Sequence, residues 1–263
     1  MAVIELYDHP VSPCAQKVRL VLAEKAISYE IRPVDLGAKQ NLTPEYLQLN
    51  PAGLVPTLVV DGQPIPESTV ICELLDELYP DPSLRPDDPL QQAQMRLWTK
   101  RLDESLHAAC GALQWPMVML PVLAKLSTEE AEALLAKVPD PVRRERQQQL
   151  YRQGMAAPVA VAGINTYRKF VVDMEATLQS REWLAGDSFS LADTGVMPYF
   201  QTLRHFCWTD LFADLPAVQG WYQRCFDRPS YPTAIGEALP APVLEQFAVA
   251  GEQAWPGLKA VIA

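Results

Sequence analysis

The feature that most restricts the fold is a strand–helix–strand pattern within residues 3–34. Residues 3–7 are a short apolar run of strand-forming residues, and a proline soon ends it, because the residue before proline avoids helical angles. Ser12 then fits a helix N-cap, and Pro13 fits the first helical position, where its missing N–H is not needed. A second strand is predicted over 28–34. Because a helix connects the two strands, they are predicted to be parallel.

Further signals predict a small mixed sheet in the first third of the chain. A short helix is expected over 43–49. A strand is expected over 54–60 with its proline at the start, because proline cannot donate to a sheet ladder. The Asp-Gly pair at 61–62 is the strongest short hairpin signal and predicts a partner strand after it. Ser68 or Thr69 is expected to cap the next helix, which completes an α/β domain.

A proline-rich segment at 83–88 separates two different sequence patterns. Such segments mark domain boundaries, so we predict one domain over 1–82 and a second over 89–263. The second has no convincing strand alternation and is predicted to be all-α, beginning with a long helix that ends near residue 113. The Arg- and Gln-rich segment 143–153 is interpreted as a solvated helix face.

The composition argues against several classes of protein. A formal net charge of −10 makes a nucleic-acid partner unexpected. No apolar run reaches the roughly 20 residues that span a membrane, and the N-terminus lacks the pattern of a signal peptide. We therefore expect a cytoplasmic protein without membrane contact. The cysteines are odd in number and lack metal-ligand or redox-pair spacing, so reduced thiols and no metal site are expected.

The start of the first helix carries groups that can take part in chemistry. The hydroxyl of Ser12 and the thiol of Cys14 lie at or beside its first turn. Free N–H groups and the helix dipole favour an anion there, so the position suits a thiolate, whether of the protein or of a ligand. Two interpretations stay open on these residues alone. Either Ser12 is only a cap and Cys14 only a small buried residue, or one of them acts in catalysis.

Three stretches together resemble the cytosolic glutathione transferase family. They are Ser12-Pro13-Cys14 with Lys17-Val18-Arg19, the segment 54–58 with Glu67-Ser68, and Ser190-Leu191-Ala192-Asp193. In this order they span nearly the whole chain. The resemblance implies a thioredoxin-like N-terminal domain, an all-helical C-terminal domain, and glutathione as cofactor or co-substrate. It also implies a homodimer, with the contact around residues 90–106.

Within that family the chain is most similar to bacterial glutathione-dependent β-etherases, which cleave aryl ethers. The similarity lies in 67–73, 84–89 and 95–100, and in the length of the segment 114–163. It implies a transferase or lyase in which glutathione thiolate attacks an electrophilic carbon of an apolar, aromatic substrate. Two alternatives remain: a glutathione-dependent thiol reductase or peroxidase that uses Cys14, and a non-catalytic carrier of apolar ligands. The family's reductases carry their cysteine where Ser12 stands here, which favours thiolate stabilisation.

The resemblance also implies roles in a glutathione site. A free glutathione thiol has a pKa of about 8.5, so its thiolate needs stabilisation, and Ser12 is expected to donate a hydrogen bond to the sulfur. Pro56 is expected to be cis, with the backbone of Val55 free to pair with an extended peptide. The remaining glutathione contacts are expected from Glu67 and Ser68 for the γ-glutamyl group, and from Lys39 or Gln40 for the glycyl carboxylate.

The electrophile is expected to bind between the two domains. Its pocket should be walled by the loop at 8–11 and by the C-terminal helices. His9 is either an acid near the site or a turn residue, His107 is expected at the surface, and Trp98 is expected in the core. The residues expected to line the pocket are His9, Val11, Trp115, Met117, Phe206 and Trp208.

Overall fold

A four-stranded mixed sheet lies in the N-terminal part of the protein, and helices form the remainder. The computed structural model describes residues 3–262. The strands are β1 (Ile4–Asp8), β2 (Glu30–Pro33), β3 (Thr57–Val60) and β4 (Gln63–Ile65). The helices around the sheet are α1 (Pro13–Glu24), α2 (Pro44–Leu49) and α3 (Ser68–Leu78). The helices that follow are α4 (Pro89–Arg101), α5 (His107–Leu123), α6 (Thr128–Ala136), α7 (Pro141–Gln153), α8 (Pro158–Leu178), α9 (Leu191–His205), α10 (Pro216–Phe226) and α11 (Ala241–Ile262).

The strand pairing in the sheet confirms the predicted arrangement. The order is β2-β1-β3-β4, with β1 and β2 parallel and the other two pairs antiparallel. Asp61 and Gly62 connect the hairpin with φ values of 50° and 83°, the left-handed region that a two-residue hairpin turn requires. Because Tyr7 pairs with Thr57, the end of β1 and the start of β3 lie side by side. The loops that follow β1 and precede β3 therefore meet at one end of the sheet.

The helix α3 begins differently from the prediction. Its N-cap is Glu67, which has a φ of 70° and makes no capping hydrogen bond with its side chain, so the expected cap at Ser68 or Thr69 is wrong. The hydroxyl of Thr69 instead accepts a hydrogen bond from Nζ of Lys17 at 3.0 Å. This contact fixes the start of α3 against α1.

Two buried cations of α1, Lys17 and Arg19, form ion pairs that position the helix. Lys17 is only 1 % exposed and reaches Asp103 at 3.2 Å, which links α1 to the helical part of the chain. Arg19 is buried as well and pairs with Asp8, at the end of β1, at 3.0 Å. The Asp103 side chain is 45% exposed, so only the Arg19–Asp8 pair is buried on both sides, and removing one partner of such a pair typically costs about 3–5 kcal/mol. These pairs therefore fix where the first turn of α1 stands relative to both parts of the protein.

The long helix predicted to end near residue 113 extends to Leu123. A π-helical segment, Leu102–Leu106, joins α4 to α5 without a break, and Pro116 and Pro121 lie inside α5. Each proline removes one backbone hydrogen bond, but packing against α8 and α9 keeps the helix continuous. By length and composition this helix could cross a membrane, yet half of its most apolar stretch is buried inside the protein. It is a core helix.

The predicted capping box at the start of α9 is present. The Asp193 carboxylate accepts hydrogen bonds from the backbone N–H of Ser190 at 3.0 Å and from that of Leu184 at 3.1 Å. It also accepts one from Nε1 of Trp221 at 2.8 Å, which ties α9 to α10. Burial raises the pKa of Asp193, and these donors lower it. The motif therefore serves as a buried junction as well as a helix cap.

The C-terminal helix α11 is an element that the sequence patterns did not predict separately. It crosses the end of α9 so closely that a Cβ added at Gly251 would lie 2.0 Å from the carbonyl oxygen of Phe206. The indole Nε1 of Trp208 donates to the carbonyl of Gly251 at 2.9 Å. This crossing covers both aromatic side chains.

Candidate functional site

Ser12 caps α1 as predicted. Its Oγ accepts a hydrogen bond from the backbone N–H of Ala15 at 3.3 Å, and its φ of −73° and ψ of 116° are those of an extended N-cap residue. The side-chain amide of Gln16 donates to the carbonyl of Pro10 at 2.9 Å and fixes the turn before the helix. Because a hydroxyl can accept one hydrogen bond and donate another, the half-buried Ser12 keeps a proton to offer to a ligand.

Cys14 lies in a polar cluster that includes residues from the helical part of the chain. Its Sγ is 3.5 Å from Nδ1 of His107 and 3.9 Å from the hydroxyl of Tyr199. Burial raises the pKa of the Cys14 thiol, but the charge and hydrogen bond of His107, followed by the charge of Lys17, lower it to about 6. A thiol with this pKa is a thiolate at neutral pH. Cys14 is therefore more than the small buried residue of the first interpretation.

His107 and Tyr199 are the members of this cluster that the sequence did not identify. The charge of Cys14 raises the pKa of His107, and the Tyr199 hydroxyl lies 3.0 Å from Nδ1 of the same ring. Burial raises the pKa of Tyr199 well above its ordinary value, so the phenol keeps its proton as a donor. His107 is exposed, as expected, but its ring is in direct contact with Cys14.

The segment before β3 has the geometry expected for pairing with a peptide. The Val55–Pro56 bond is cis, as predicted. The preceding turn is held by the Tyr46 hydroxyl and the Asn50 side chain, which donate to the carbonyl of Leu54 at 2.5 and 2.9 Å. Within residues 3–262, neither the N–H nor the C=O of Val55 has a hydrogen-bond partner. Both groups remain available to an added strand.

The start of α3 lies beside α1. Glu67 is exposed, and the structure gives its carboxylate no ion-pair partner among the described residues. Ser68 is buried at the first position of the helix. The hydroxyl of Ser68 also lowers the pKa of Cys14, after the larger effects of burial, His107 and Lys17. The start of α3 and the start of α1 are therefore neighbours.

The loop with Lys39 and Gln40 differs in how its two candidate residues are used. The side-chain oxygen of Gln40 accepts from the backbone N–H of Asp35 at 2.9 Å, so it stabilises its own loop. Lys39 is half-buried, and burial followed by the charge of Arg143 lowers its pKa. Arg143 donates to the carbonyl of Ala52 at 3.1 Å, so α7 touches the N-terminal part. The interpretation of 143–153 as a wholly solvated face is wrong for this side of the helix.

The expected pocket residues fall into two groups. His9 and Val11 lie in the loop after β1, where Nε2 of Gln114 on α5 donates to the carbonyl of Val11 at 3.0 Å. Trp115 and Met117 are half-buried on α5, beside this contact. Trp115 also packs against the small core cluster of Leu123, Ala131 and Leu135. A role of these four residues in binding the electrophile stays a prediction.

Phe206 and Trp208 do not line an open pocket, and the expectation for them is corrected. Both are fully buried, with ring centroids 5.0 Å apart, and Phe206 also packs on Phe247 of α11. They belong to the core because α11, which the sequence patterns did not reveal, covers them. Trp98 is in the core as expected, with its ring 5.3 Å from that of Phe170.

The described residues contain no group of three or more His, Cys, Asp or Glu side chains that could hold a metal ion. The candidate site brings together a hydroxyl at a helix start and a thiol beside an imidazole, and the backbone groups of Val55 are unpaired among the described residues.

The sequence and the architecture of this chain are similar to those of known proteins. A model of the glutathione S-transferase N-terminal domain matches residues 11–78, and one of the C-terminal domain matches 164–229. Protein LigF of Sphingobium sp. strain SYK-6 is 32% identical over 193 residues, which is 72% of this chain and 75% of LigF. Maleylacetoacetate isomerase of Mus musculus is 31% identical over 205 residues, 76% of this chain and 78% of the isomerase. The crystal structure of the β-etherase LigF matches with a TM-score of 0.81 at 28% identity, covering 89% of this chain and 99% of that one. These matches confirm the thioredoxin-like N-terminal and all-helical C-terminal architecture.

Proposed function

The chain belongs to the glutathione S-transferase family, whose co-substrate is glutathione, and we propose that it is a transferase or lyase in which Ser12 activates the glutathione thiol. The thiol loses its proton, and the Ser12 hydroxyl donates a hydrogen bond to the resulting thiolate. The sulfur then attacks an electrophilic carbon of an apolar, aromatic substrate. A carbon–sulfur bond forms while the bond to the leaving group breaks, and the leaving group departs with the electron pair.

The observation that carries this proposal is the meeting of Ser12 and Val55 at one end of the sheet. Tyr7 pairs with Thr57, so the loop leading to Ser12 runs beside the segment with Val55. Ser12 offers a hydroxyl proton, and Val55 offers an unpaired N–H and C=O. A peptide that pairs with Val55 as an added strand can therefore place its thiol near the start of α1. Ser68 and Glu67 at the neighbouring start of α3 suit the amine and carboxylate of a γ-glutamyl group.

We propose aryl ethers as the substrate class. The similarity to the β-etherase LigF extends over most of both chains and supports this choice. The leaving group would then be a phenolate, which departs with the electron pair of the broken carbon–oxygen bond and is protonated by water. We place the aryl group near the loop after β1 and α5, where the side chains of Val11, Trp115 and Met117 are apolar as such a substrate requires.

A second candidate function rests on Cys14. Its contact with His107 and its pKa of about 6 favour a reactive thiolate, as in a glutathione-dependent thiol reductase. In that reaction the Cys14 thiolate attacks glutathione disulfide, forms a mixed disulfide and releases glutathione thiolate. The reductase needs Cys14 itself, whereas the transferase needs only a ligand thiol held at Ser12.

The test is product analysis by mass spectrometry after incubation with glutathione and a β-aryl ether that carries a phenol leaving group. We expect a glutathione thioether and the free phenol in equal amounts. The same experiment with an aryl chloride separates a general transferase from an etherase. A protein that binds glutathione but forms no thioether with either compound would contradict the transferase proposal and leave a ligand carrier.

We further propose that the protein is a cytoplasmic homodimer. The exposed apolar side chains Val70 on α3 and Leu90 and Leu97 on α4 support an interface that joins the N-terminal part of one subunit to the first long helix of the other.

A further inference from the structure

Two contacts show which face of α5 lies against the start of α1. Nδ1 of His107 is 3.5 Å from Sγ of Cys14, and Nε2 of Gln114 donates to the carbonyl of Val11 at 3.0 Å. Positions 107 and 114 are two turns apart and lie on the same face of the helix. Gly111 lies between them on that face, so it is directed at the helix start between the two contacts.

The guanidinium of Arg146 occupies this face of α5. Its Nη2, Cζ and Nη1 atoms are 3.6, 3.8 and 4.0 Å from the position that a Cβ at Gly111 would take. The guanidinium therefore lies where a longer side chain at position 111 would stand. In the chain, the residue between the two contacted positions of the helix start that carries a free hydroxyl proton is Ser12. Arg146 thus comes to the face of α5 that meets the proposed thiolate site.

Packing of α7 holds Arg146 in this position. Arg146 stands one turn before Leu150, which is fully buried, so both residues lie on the face of α7 that packs against α5. One turn in the other direction, Arg143 donates to the carbonyl of Ala52 at 3.1 Å and attaches the start of α7 to the N-terminal part. A helix fixed at two points positions a functional side chain more precisely than a loop does.

The donors of Arg146 are not used by the protein within residues 3–262. Its guanidinium makes no ion pair or hydrogen bond there, whereas Arg144 donates to the carbonyl of Val138 at 2.8 Å and Arg152 pairs with Glu132 at 3.6 Å. Arg146 is half-buried, and burial lowers its pKa, but an arginine side chain stays protonated in proteins. A partly desolvated cation with free N–H groups attracts an anion more strongly than an exposed one.

We propose that Arg146 stabilises the leaving group of the ether cleavage by donating hydrogen bonds to the phenolate oxygen as the carbon–oxygen bond breaks. This inference rests on the proposed function for its substrate. The glutathione sulfur held at Ser12 forms the new bond to carbon, and the electron pair of the broken carbon–oxygen bond passes to the phenolate oxygen. That oxygen accepts from the guanidinium until water protonates it. Because the charge develops only as the bond breaks, the interaction lowers the reaction barrier.

The variants Arg146→Gln and Arg146→Lys test the proposal, with Arg152→Gln as the matched control on the same helix. Initial rates at saturating glutathione are compared for β-aryl ethers that differ only in the phenol, from an acidic nitrophenol to unsubstituted phenol. A titration of bound para-nitrophenol, with S-methylglutathione present, measures stabilisation of a phenolate without any turnover. Thermal unfolding shows whether each variant is folded.

Arg146→Gln should lower the rate about ten- to a hundredfold for the ether of unsubstituted phenol, the effect of lost hydrogen bonds from a charged donor. The loss should be much smaller for the nitrophenol ether, whose leaving group already delocalises its charge. The wild type should lower the pKa of bound para-nitrophenol, and Arg146→Gln should return that pKa toward its value in water. Arg146→Lys should retain part of both effects, and Arg152→Gln should behave as the wild type does.

An equal loss of rate for all the ethers, together with a raised pKa of the bound glutathione thiol, would overturn the proposal and assign the charge of Arg146 to the thiolate. A folded Arg146→Gln protein with wild-type rates and a wild-type nitrophenol titration would overturn it as well. A wild type that lowers the pKa of para-nitrophenol through Arg146 but forms no thioether with any electrophile would instead contradict the proposed function alone.

Discussion

Sγ of Cys14 lies 3.5 Å from Nδ1 of His107, although the two residues are 93 positions apart in the chain. The contact joins the first turn of α1 to the first turn of α5, and it lowers the pKa of the thiol while the thiol raises that of the imidazole. The contact therefore favours the thiolate form of Cys14 and the protonated form of His107.

Replacing His107 should make Cys14 less acidic. In the wild type we expect alkylation of Cys14 by iodoacetamide to rise with a midpoint near pH 6, because only the thiolate reacts. In His107→Gln the midpoint should move upward, since burial then acts without the opposing imidazolium. The rate at each pH is measured by mass spectrometry of the peptide that contains Cys14. His9→Gln, in the loop after β1, is the control and should leave the midpoint unchanged.

Cys14 and His107 change the free energy of unfolding with pH in opposite directions. The lowered pKa of Cys14 contributes stability that is present above its unfolded value and is lost as pH falls through about 6. The raised pKa of His107 contributes stability that is present below its unfolded value and is lost as pH rises through its folded value. At pH 6.5, above the folded pKa of Cys14 and below the raised pKa of His107, the difference in unfolding temperature between wild type and Cys14→Ala should therefore be larger than at pH 4.5. An equal difference at both pH values would contradict the ion pair.

Asp193 should contribute far more stability than the equivalent residue of the other capping box. Asp193→Ala removes a buried acceptor and leaves the N–H groups of Leu184 and Trp221 without partners, at about 3–5 kcal/mol for several lost bonds. Glu130→Ala breaks the same motif at the exposed start of α6, at about 1 kcal/mol or less. Thermal unfolding measures both. Similar decreases in unfolding temperature in the two variants would contradict a larger contribution of the buried Asp193 to stability.

A charge on the exposed face of α4 should prevent the proposed dimer. Leu97 is 57% exposed, and Leu97→Asp places a carboxylate where the partner subunit is expected. Val142→Asp introduces a carboxylate at an apolar site on α7 that is 74% exposed and lies outside the proposed interface. Sedimentation at micromolar concentration should give a dimer for the wild type and for Val142→Asp and a monomer for Leu97→Asp. A Leu97→Asp protein that remains dimeric would place the interface elsewhere.

Much of the fold could be predicted because it depends on local signals. Ser12 with Pro13, the Asp61-Gly62 hairpin and the Ser190-to-Asp193 capping box each act within a few residues, and all three form as expected. The exception, the start of α3 at Glu67, arises because Thr69 accepts from Lys17, on another helix. At the start of α3, the hydroxyl of Thr69 therefore contacts another helix and does not cap its own.

The parts that could not be predicted depend on contacts between distant residues. The sequence places His107 at the surface but does not show that α5 brings it against Cys14. It predicts a solvated Arg143 but does not show that this residue contacts Ala52, 91 positions away in the chain. Phe206 and Trp208 are aromatic, like many residues that line apolar pockets, but α11 covers them. Residue type and spacing carry no information about such partners.

The pKa of bound glutathione in the Ser12 and Cys14 variants tests the central claim most directly. The ultraviolet thiolate absorbance of bound glutathione is titrated in wild type, Ser12→Ala and Cys14→Ala, alongside initial rates on an aryl chloride. Ser12→Ala should raise the pKa of the bound thiol and lower turnover at neutral pH about ten- to a hundredfold, the effect of one lost hydrogen bond to a charged acceptor. Cys14→Ala should keep the wild-type titration and stay within a few-fold in rate. An inactive Cys14→Ala beside a nearly normal Ser12→Ala would contradict the account and assign the chemistry to the cysteine.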